Sequence, residues 1–477
     1  MSTNLKRITT HALIYTIAPQ VGRVSGLLAL PLITKYLTTT DYAIYGIILA
    51  YSGILDGLSG GGLLFFLSNS FIKYPNKYKL IWRQIHLYMT SINIVLACLQ
   101  AVLIYFLIPI EAEPNKWYII SILCIQTGFL SVTTSFGVSY FQINQIPKYV
   151  GIVTSIVGIS SVLLQIICIA YLKLGYMGFF WANFGSSFLL FCFYGYPLYF
   201  KYNLKPMWVF RKKFILPKLK LSFPMVLHAY SSYLTNSSTR VILDRAHISK
   251  YNIGQFNIAF NLVANLESVL SGITNTLVPI YLRLFKTGIA GQLKIRNITL
   301  LLQVCLLVAT FVMSLWVKEA FFIVIKNPGL RSSYPFAVFF IMAFNYRPLY
   351  WSLGTLYFFH EKTKSIATIT FTSGVVILLL NVVLVPFFGI WAAVYISFFM
   401  SFSSGYFWFF LKSYKELSLV KYYPIHSFTI NIFFSILVYF LADLPIVYKL
   451  CITFVLAMLL LSIVLKFKDK IKSTFSL

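Results

Sequence analysis

The sequence predicts an all-α polytopic membrane protein of about fourteen spans, arranged as two related six-span lobes followed by two further spans. Three observations carry this expectation. The 477 residues are 59% hydrophobic and only 10% charged, with a mean hydropathy of +0.81, whereas about a quarter of a soluble domain is charged. Apolar runs of roughly 20 residues, enough for ~30 Å of hydrocarbon, recur along the whole chain. Finally, the chain echoes itself: YFQINQIPKYVGIVTS from Tyr140 returns as YFFHEKTKSIATITFT from Tyr357, and each copy runs on to a glycine turn, Gly175 and Gly389. A fainter echo joins Asp41–Ile44 to Lys250–Ile253.

The spans follow in order. Span 1, near 11–33, follows a short basic N-terminus and holds polar Gln20 and Arg23 at its centre; no small-residue cleavage site follows it, so it reads as a retained helix, not a signal peptide. Span 2, near 42–68, contains Gly60-Gly61-Gly62, where the helix is expected to bend. Spans 3 to 6 lie near 85–110, 117–141, 150–172 and 178–200, with the Tyr140 hinge between spans 4 and 5. These make an N-terminal lobe, 1–200, and the basic stretch 201–220 reads as a cytoplasmic linker. Spans 7 to 12, near 221–243, 251–281, 297–317, 334–359, 365–385 and 390–411, make a C-terminal lobe, 221–411. Spans 13 and 14, near 425–441 and 446–465, lie outside the duplication and complete residues 412–477 with a basic tail. Six spans per lobe is an even number, so both lobes are expected to enter the membrane in the same sense.

A formal charge of +28 invites a nucleic-acid reading, but the placement of Lys and Arg argues for topology instead. With a cytoplasmic N-terminus, inner segments collect most of the 39 basic residues, seven of them between Lys201 and Lys220. The outer side receives Lys35, Lys116, Lys173, Arg245, Lys250, Lys318, Lys326, Arg331 and Lys449. Both termini are therefore expected in the cytoplasm. The six cysteines all fall within spans without paired or metal-type spacing, which reads as packing.

Charges inside spans cost about 2.5–3.5 kcal/mol at mid-membrane on insertion scales, so each calls for a reason. Arg23 stacks at helical spacing with Thr16, Gln20 and Gly26; it either meets an anionic substrate in a cavity or pairs with a neighbouring helix. Asp56 shares a face with Ser52, Ser59 and Gly60, and either pairs with Arg23 or takes up a coupling proton or sodium ion. Span 7 carries Ser232, Asn236 and Arg240 at four-residue steps, ending at Asp244; an Arg240–Asp244 pair within one helix is the structural alternative to substrate contact. His228 lies on the same span, where a packing role outweighs a proton relay.

Span 8 presents Asn257, Asn261, Asn265, Ser268, Gly272 and Asn275 as a narrow polar stripe, suited to a wet cavity wall or a polar helix contact. Glu267 lies about 120° around from it, a second position for ion coupling. Arg347, followed by Pro348 and flanked by Tyr346 and Tyr350, suits phosphate or sugar contact, with snorkelling as the competing account.

Several chemistries have no foothold. There is no GxxxxGK[ST] loop for nucleotide phosphates, no HExxH or cysteine cluster for a metal, no GxSxG, and no carboxylate pair in an extramembrane loop. No cofactor is expected, and an ion gradient or the substrate's own gradient is left as the energy source.

The N-terminal pattern of Tyr15, Arg23, Pro31 and Tyr42 to Gly46, the Tyr140-Phe141-Gln142 hinge, and the run from Thr363 through Asn381, Pro386, Gly389 and Ala392-Ala393 resemble the polysaccharide-exporter branch of the multidrug/oligosaccharidyl-lipid/polysaccharide (MOP) superfamily. Within it the chain looks most like a Wzx-type O-antigen flippase, over essentially its full length. The resemblance implies two six-helix lobes in a V, two added C-terminal helices and a cationic central cavity. It further implies a transporter, not an enzyme, that carries undecaprenyl-pyrophosphate-linked oligosaccharide from the cytoplasmic to the periplasmic leaflet of a bacterial inner membrane. Arg23, Arg240 and Arg347 would then attract the pyrophosphate, Gln20, Asn236, Asn257, Asn261 and Asn265 would solvate sugars, and Asp56 or Glu267 would couple H+ or Na+. Expected partners are the lipid-linked substrate, membrane lipids, an O-antigen polymerase and a chain-length regulator, with no nucleic acid. Two other functions compete: a multidrug extrusion antiporter, against which three intramembrane arginines argue, and an O-antigen polymerase or membrane acyltransferase, against which the modest outer loops argue.

Overall fold

The structure is a computed structural model and describes residues 3–209 and 212–466. Its helices are α1 (Thr3–Tyr36), α2 (Thr39–Asp56), α3 (Leu64–Lys73), α4 (Tyr78–Leu107), α5 (Lys116–Ile125), α6 (Ser131–Ile143), α7 (Pro147–Ile166), α8 (Tyr176–Tyr196), α9 (Lys212–Asn236), α10 (Ser238–Arg245), α11 (Lys250–Phe285), α12 (Ile289–Leu315), α13 (Val317–Val324), α14 (Pro328–Arg331), α15 (Tyr334–Met342), α16 (Arg347–Phe359), α17 (Thr363–Ser404), α18 (Lys412–Leu417), α19 (Pro424–Leu441) and α20 (Ile446–Lys466). No strand occurs among the described residues. Among the described residues, eight segments are long and apolar enough by themselves to cross a membrane. Others that were expected as single spans are interrupted: α2 and α3 share span 2, α9 and α10 share span 7, and α15 and α16 share span 10. Conversely, α17 covers spans 11 and 12, divided at Gly389 by its φ of 66° and ψ of −149°.

The duplication is visible in local geometry. Gly175, opening α8, has φ 54° and ψ −135°, close to the conformation of Gly389; this left-handed region favours glycine. Both hinges close with the same helix-ending motif. In the first, Ile146 N–H bonds to Phe141 O and Gln145 N–H to Gln142 O; in the second, Lys362 N–H bonds to Tyr357 O and Glu361 N–H to Phe358 O. Gln145 and Glu361 both have positive φ, as that motif requires. The structural register therefore matches Phe141, not Tyr140, to Tyr357, one residue away from the sequence echo.

The chain packs as two units: Met1–Gly254 with Val324–Leu330, and Gln255–Ile323 with Arg331–Leu477. In the first unit α9 and α10 rest on α2. Packing thus divides at Gly254, whereas the anticipated lobes are defined by duplication; the two boundaries measure different properties.

Within the first unit, α1 and α7 pack along a ridge of small residues. A Cβ on Gly22 would lie 2.8 Å from the Gly158 Cα, and Ser155 Oγ donates to Ala18 O at 3.3 Å. The triglycine break appears where expected. α2 ends at Asp56, and a 3₁₀ turn over Ser59–Gly62 uses positive φ at Gly60 and Gly62. Asn93 of α4, fully buried, pins this turn by accepting from Gly60 N at 2.8 Å and donating to Thr127 O at 2.9 Å. At the expected outer end, Thr38 and Asp41 form a capping box on α2, and Asp41 Oδ1 accepts from Tyr176 N at 2.9 Å. There too, Asn327 Nδ2 donates to Leu37 O at 2.9 Å, and a Cβ on Gly254 would lie 1.9 Å from Thr39 O.

In the second unit, charges fasten α19 and α20. Asp443, in the turn between them, accepts from Lys318 Nζ and Tyr334 Oη, each at 2.6 Å. Partial desolvation opposes the Asp443 charge, but these two donors outweigh it and hold its carboxyl below the usual range. Lys449, expected on the outer side, lies in the first turn of α20. It is fully buried, bonded to Glu319 Oε1 at 2.7 Å and to Ala442 O at 2.7 Å. Replacing it by Met should cost about 2–3 kcal/mol, below the range for a wholly buried pair because Glu319 retains 24% exposure. Thermal unfolding of the detergent-purified protein measures this, and adding Glu319→Gln should recover part of the loss. The six cysteines are free, and Cys98, Cys192 and Cys451 are exposed where core packing was expected, facing outward from apolar helices.

Candidate functional site

The structure brings together two residues to which the sequence assigned separate roles. Glu267 lies midway along α11 and Arg347 begins α16, just after a 3₁₀ turn over Ala343–Tyr346 that interrupts span 10 near its middle. Arg347 Nη2 donates to Glu267 Oε1 at 2.5 Å. The guanidinium also lies 5.1 Å from the Tyr346 ring centroid and 5.5 Å from that of Phe344, within cation–π range. The Arg347 side chain keeps 20% of its exposure and Glu267 keeps 51%, so the pair is open on the carboxylate side. Arg347 Nε is buried with no hydrogen-bond partner among the described residues. A guanidinium has five N–H donors in one plane, so this pair leaves donor capacity unused.

Arg23 presents the opposite case. Gly22 and Gly26 of α1 face α7, whereas Arg23, about 100° around from Gly22, is exposed and has no ion-pair partner among the described residues. The stripe foreseen from sequence therefore divides: a Cβ on Gly26 would lie 3.9 Å from Val162 Cγ2, and Gln20 is half-buried. The Thr16 side chain lies outside the described residues.

Asp56 is exposed at the last turn of α2, and no ion pair joins it to Arg23 among the described residues. The serines sharing its face are committed elsewhere: Ser52 accepts from Gln100 Nε2, and Ser59 Oγ meets Asn93 Oδ1 at 3.2 Å. The Gln100 and Asn93 partners were missed by sequence reading, because a polar residue within a long apolar run carries no sign of which helix it faces.

Arg240 is buried on α10, and its Nη1 donates to Asn236 O at 3.0 Å, across the break between α9 and α10. The alternative pair with Asp244 does not form. Asp244 instead accepts from Lys250 Nζ at 2.5 Å and from Tyr51 Oη at 2.7 Å, with Arg245 over the Tyr51 ring at 5.6 Å. The polar stripe on α11 is graded: Asn257 is buried, Asn265 half-buried and Asn261 exposed, with Asn265 Nδ2 donating to Asn261 O at 3.2 Å. Asn236 is exposed beside the break. The side chains of His228, Ser268 and Asn275 lie outside the described residues. No cluster of three metal-ligating side chains occurs among the described residues.

A family model described as polysaccharide biosynthesis protein matches residues 8–285, more than half of the chain. The chain belongs to this polysaccharide biosynthesis protein family. Comparison with curated proteins gives no match. Among solved structures, lipid II flippase MurJ in an inward closed conformation is similar at a TM-score of 0.72 with 13% identity, covering 96% of this chain and 100% of that chain. An inward-facing multidrug resistance MATE family transporter of the MOP superfamily is similar at 0.53, with 11% identity over 89% of this chain and 95% of that chain. An outward-facing one is similar at 0.51, with 12% identity over 91% and 96%. This polysaccharide biosynthesis family member thus has the all-helical, multi-pass membrane fold expected from its sequence.

Proposed function

We propose that the protein is a flippase carrying undecaprenyl-pyrophosphate-linked O-antigen or related oligosaccharide repeat units from the cytoplasmic to the periplasmic leaflet of the bacterial inner membrane. The observation that supports this reading best is the family match on a chain built of membrane-length helices. Such a protein serves polysaccharide synthesis from within the bilayer, where a lipid-linked unit has to be moved from one leaflet to the other. The fold shared with a lipid flippase agrees with this reading.

The chemistry of the named side chains fits a pyrophosphate with sugars attached. Arg347, midway through the second unit, can bind phosphate oxygens through a planar fork of donors. Arg23 offers a second exposed cation in the first unit. Asn261 and Asn236, both exposed, suit sugar hydroxyls. Asp56 and Glu267 are the carboxylates positioned to couple H+ or Na+. Both termini are cytoplasmic in this reading, and the product passes to an O-antigen polymerase with its chain-length regulator. A multidrug antiporter for cationic compounds is disfavoured by these intramembrane arginines, which would repel its cargo.

Deleting the gene should leave lipid-linked repeat units on the cytoplasmic leaflet. The check is their accessibility, in oriented membrane vesicles, to a membrane-impermeant oxidant of sugar diols. Units that instead reached the periplasm unpolymerised would refute translocation and favour a polymerase.

A further inference from the structure

Resting on that reading, we infer that Glu267 is a displaceable internal counter-ion: it holds the Arg347 site when no substrate is bound and is expelled by the incoming diphosphate group. Both residues lie midway along their spans, one on α11 and one at the 3₁₀-to-α junction that opens α16. They meet at 2.5 Å. A bare arginine at this depth would be costly, and a permanently paired one would offer a substrate only its remaining donors and no net charge.

The pair is built asymmetrically. The guanidinium lies over the rings of Tyr346 and Phe344, and its side chain keeps 20% exposure. Glu267 keeps 51%, so its carboxylate is already half solvated and loses little by leaving. The aromatic faces stay behind when it leaves, so the cation remains aimed and partly compensated. Among the described residues, Tyr346 and Tyr350 are the other titratable groups close enough to act electrostatically on both charges.

Magnitudes favour the exchange. A part-exposed ion pair is worth about 1 kcal/mol or less. A diphosphate carries at least two negative charges against one on Glu267, which about doubles the Coulomb attraction at equal separation. It also presents enough oxygens to satisfy the buried Arg347 Nε–H, which has no partner among the described residues. Once expelled, the Glu267 carboxylate is free to accept a proton or a sodium ion, which gives the bound substrate a direct means of creating the coupling site.

The test uses full-length protein in nanodiscs with inorganic pyrophosphate as probe, read by calorimetry and by the rise in melting temperature on ligand addition. Arg347→Gln should weaken pyrophosphate binding at least about tenfold. Glu267→Gln removes the competing charge and should tighten binding about fivefold, the factor matching a pair worth ~1 kcal/mol. The ligand-induced rise in melting temperature should then be larger than in the wild type, even if the unliganded variant melts earlier. Glu267→Asp retains the charge and should stay near wild type. If Arg347→Gln loses binding while Glu267→Gln is no tighter than wild type, the counter-ion idea is overturned although Arg347 remains an anion site. Unchanged binding in Arg347→Gln, or no binding by the wild type, overturns it as well. None of these outcomes decides whether lipid-linked units cross the membrane, which the leaflet measurement answers separately.

Discussion

Arg23→Ala should abolish transport while leaving the protein at least as stable as the wild type. Two effects of opposite sign meet at this residue. An arginine in the middle of a membrane helix costs about 2.5–3.5 kcal/mol, a cost lowered when its side chain reaches water or headgroups. No ion pair among the described residues offsets it, since Arg23 is exposed on α1 while Gly22 and Gly26 take up the contact with α7. Removing the charge therefore removes a cost and leaves the small-residue ridge intact. A residue kept only for packing would behave the other way, losing stability when truncated. Surface polysaccharide, compared with the amount of protein in the membrane fraction, separates these cases; normal polysaccharide would remove Arg23 from the transport path.

Arg347→Gln should lower transport about thirtyfold or more, with Arg347→Lys retaining an intermediate rate. Losing a charge-assisted contact to phosphate is worth about 2 kcal/mol or more, and lysine keeps the charge but not the planar fork. The stability cost should be small, about 1 kcal/mol, because the Glu267 left behind is 51% exposed and can be solvated. This contrasts with Lys449, whose fully buried ammonium leaves unpaired groups when removed. Two ion pairs of similar length in the same unit thus separate by burial into one suited to exchange and one suited to fastening. Rates of polysaccharide export alongside melting temperatures for both variants would check the contrast.

The fold was legible because it rests on patterns that survive without contacts. Apolar length, glycine at turns and the repeated hinge are local, and the structure reproduces them at Gly175, Gly389 and the Gly60–Gly62 break. The site was half legible. Charge within apolar sequence singled out Arg23, Asp56, Glu267 and Arg347 as candidates, since such charges are costly and hence informative. Pairing was not legible, because partners lie on different helices: Glu267 meets a residue 80 positions away, and Asp244 meets Tyr51 across 193. Spacing along one helix suggested Arg240 with Asp244, but Asp244 is taken by Lys250 and Tyr51, and Arg240 Nη1 donates to the Asn236 carbonyl. Lys449 is a further case: the sequence placed it on the outer side but gave no sign that Glu319, on another helix, would pair with it in a buried position.

Translocation by the purified protein is measured in liposomes. Undecaprenyl-pyrophosphate bearing a fluorescent oligosaccharide is placed in both leaflets, and a membrane-impermeant quencher is added outside. With the wild type, an ion gradient should drive loss of fluorescence beyond the fraction initially exposed, faster than in protein-free vesicles, and Arg23→Ala vesicles should match the protein-free rate. Wild-type vesicles that quench no faster than protein-free ones, with the protein verified as folded and inserted, would contradict the account.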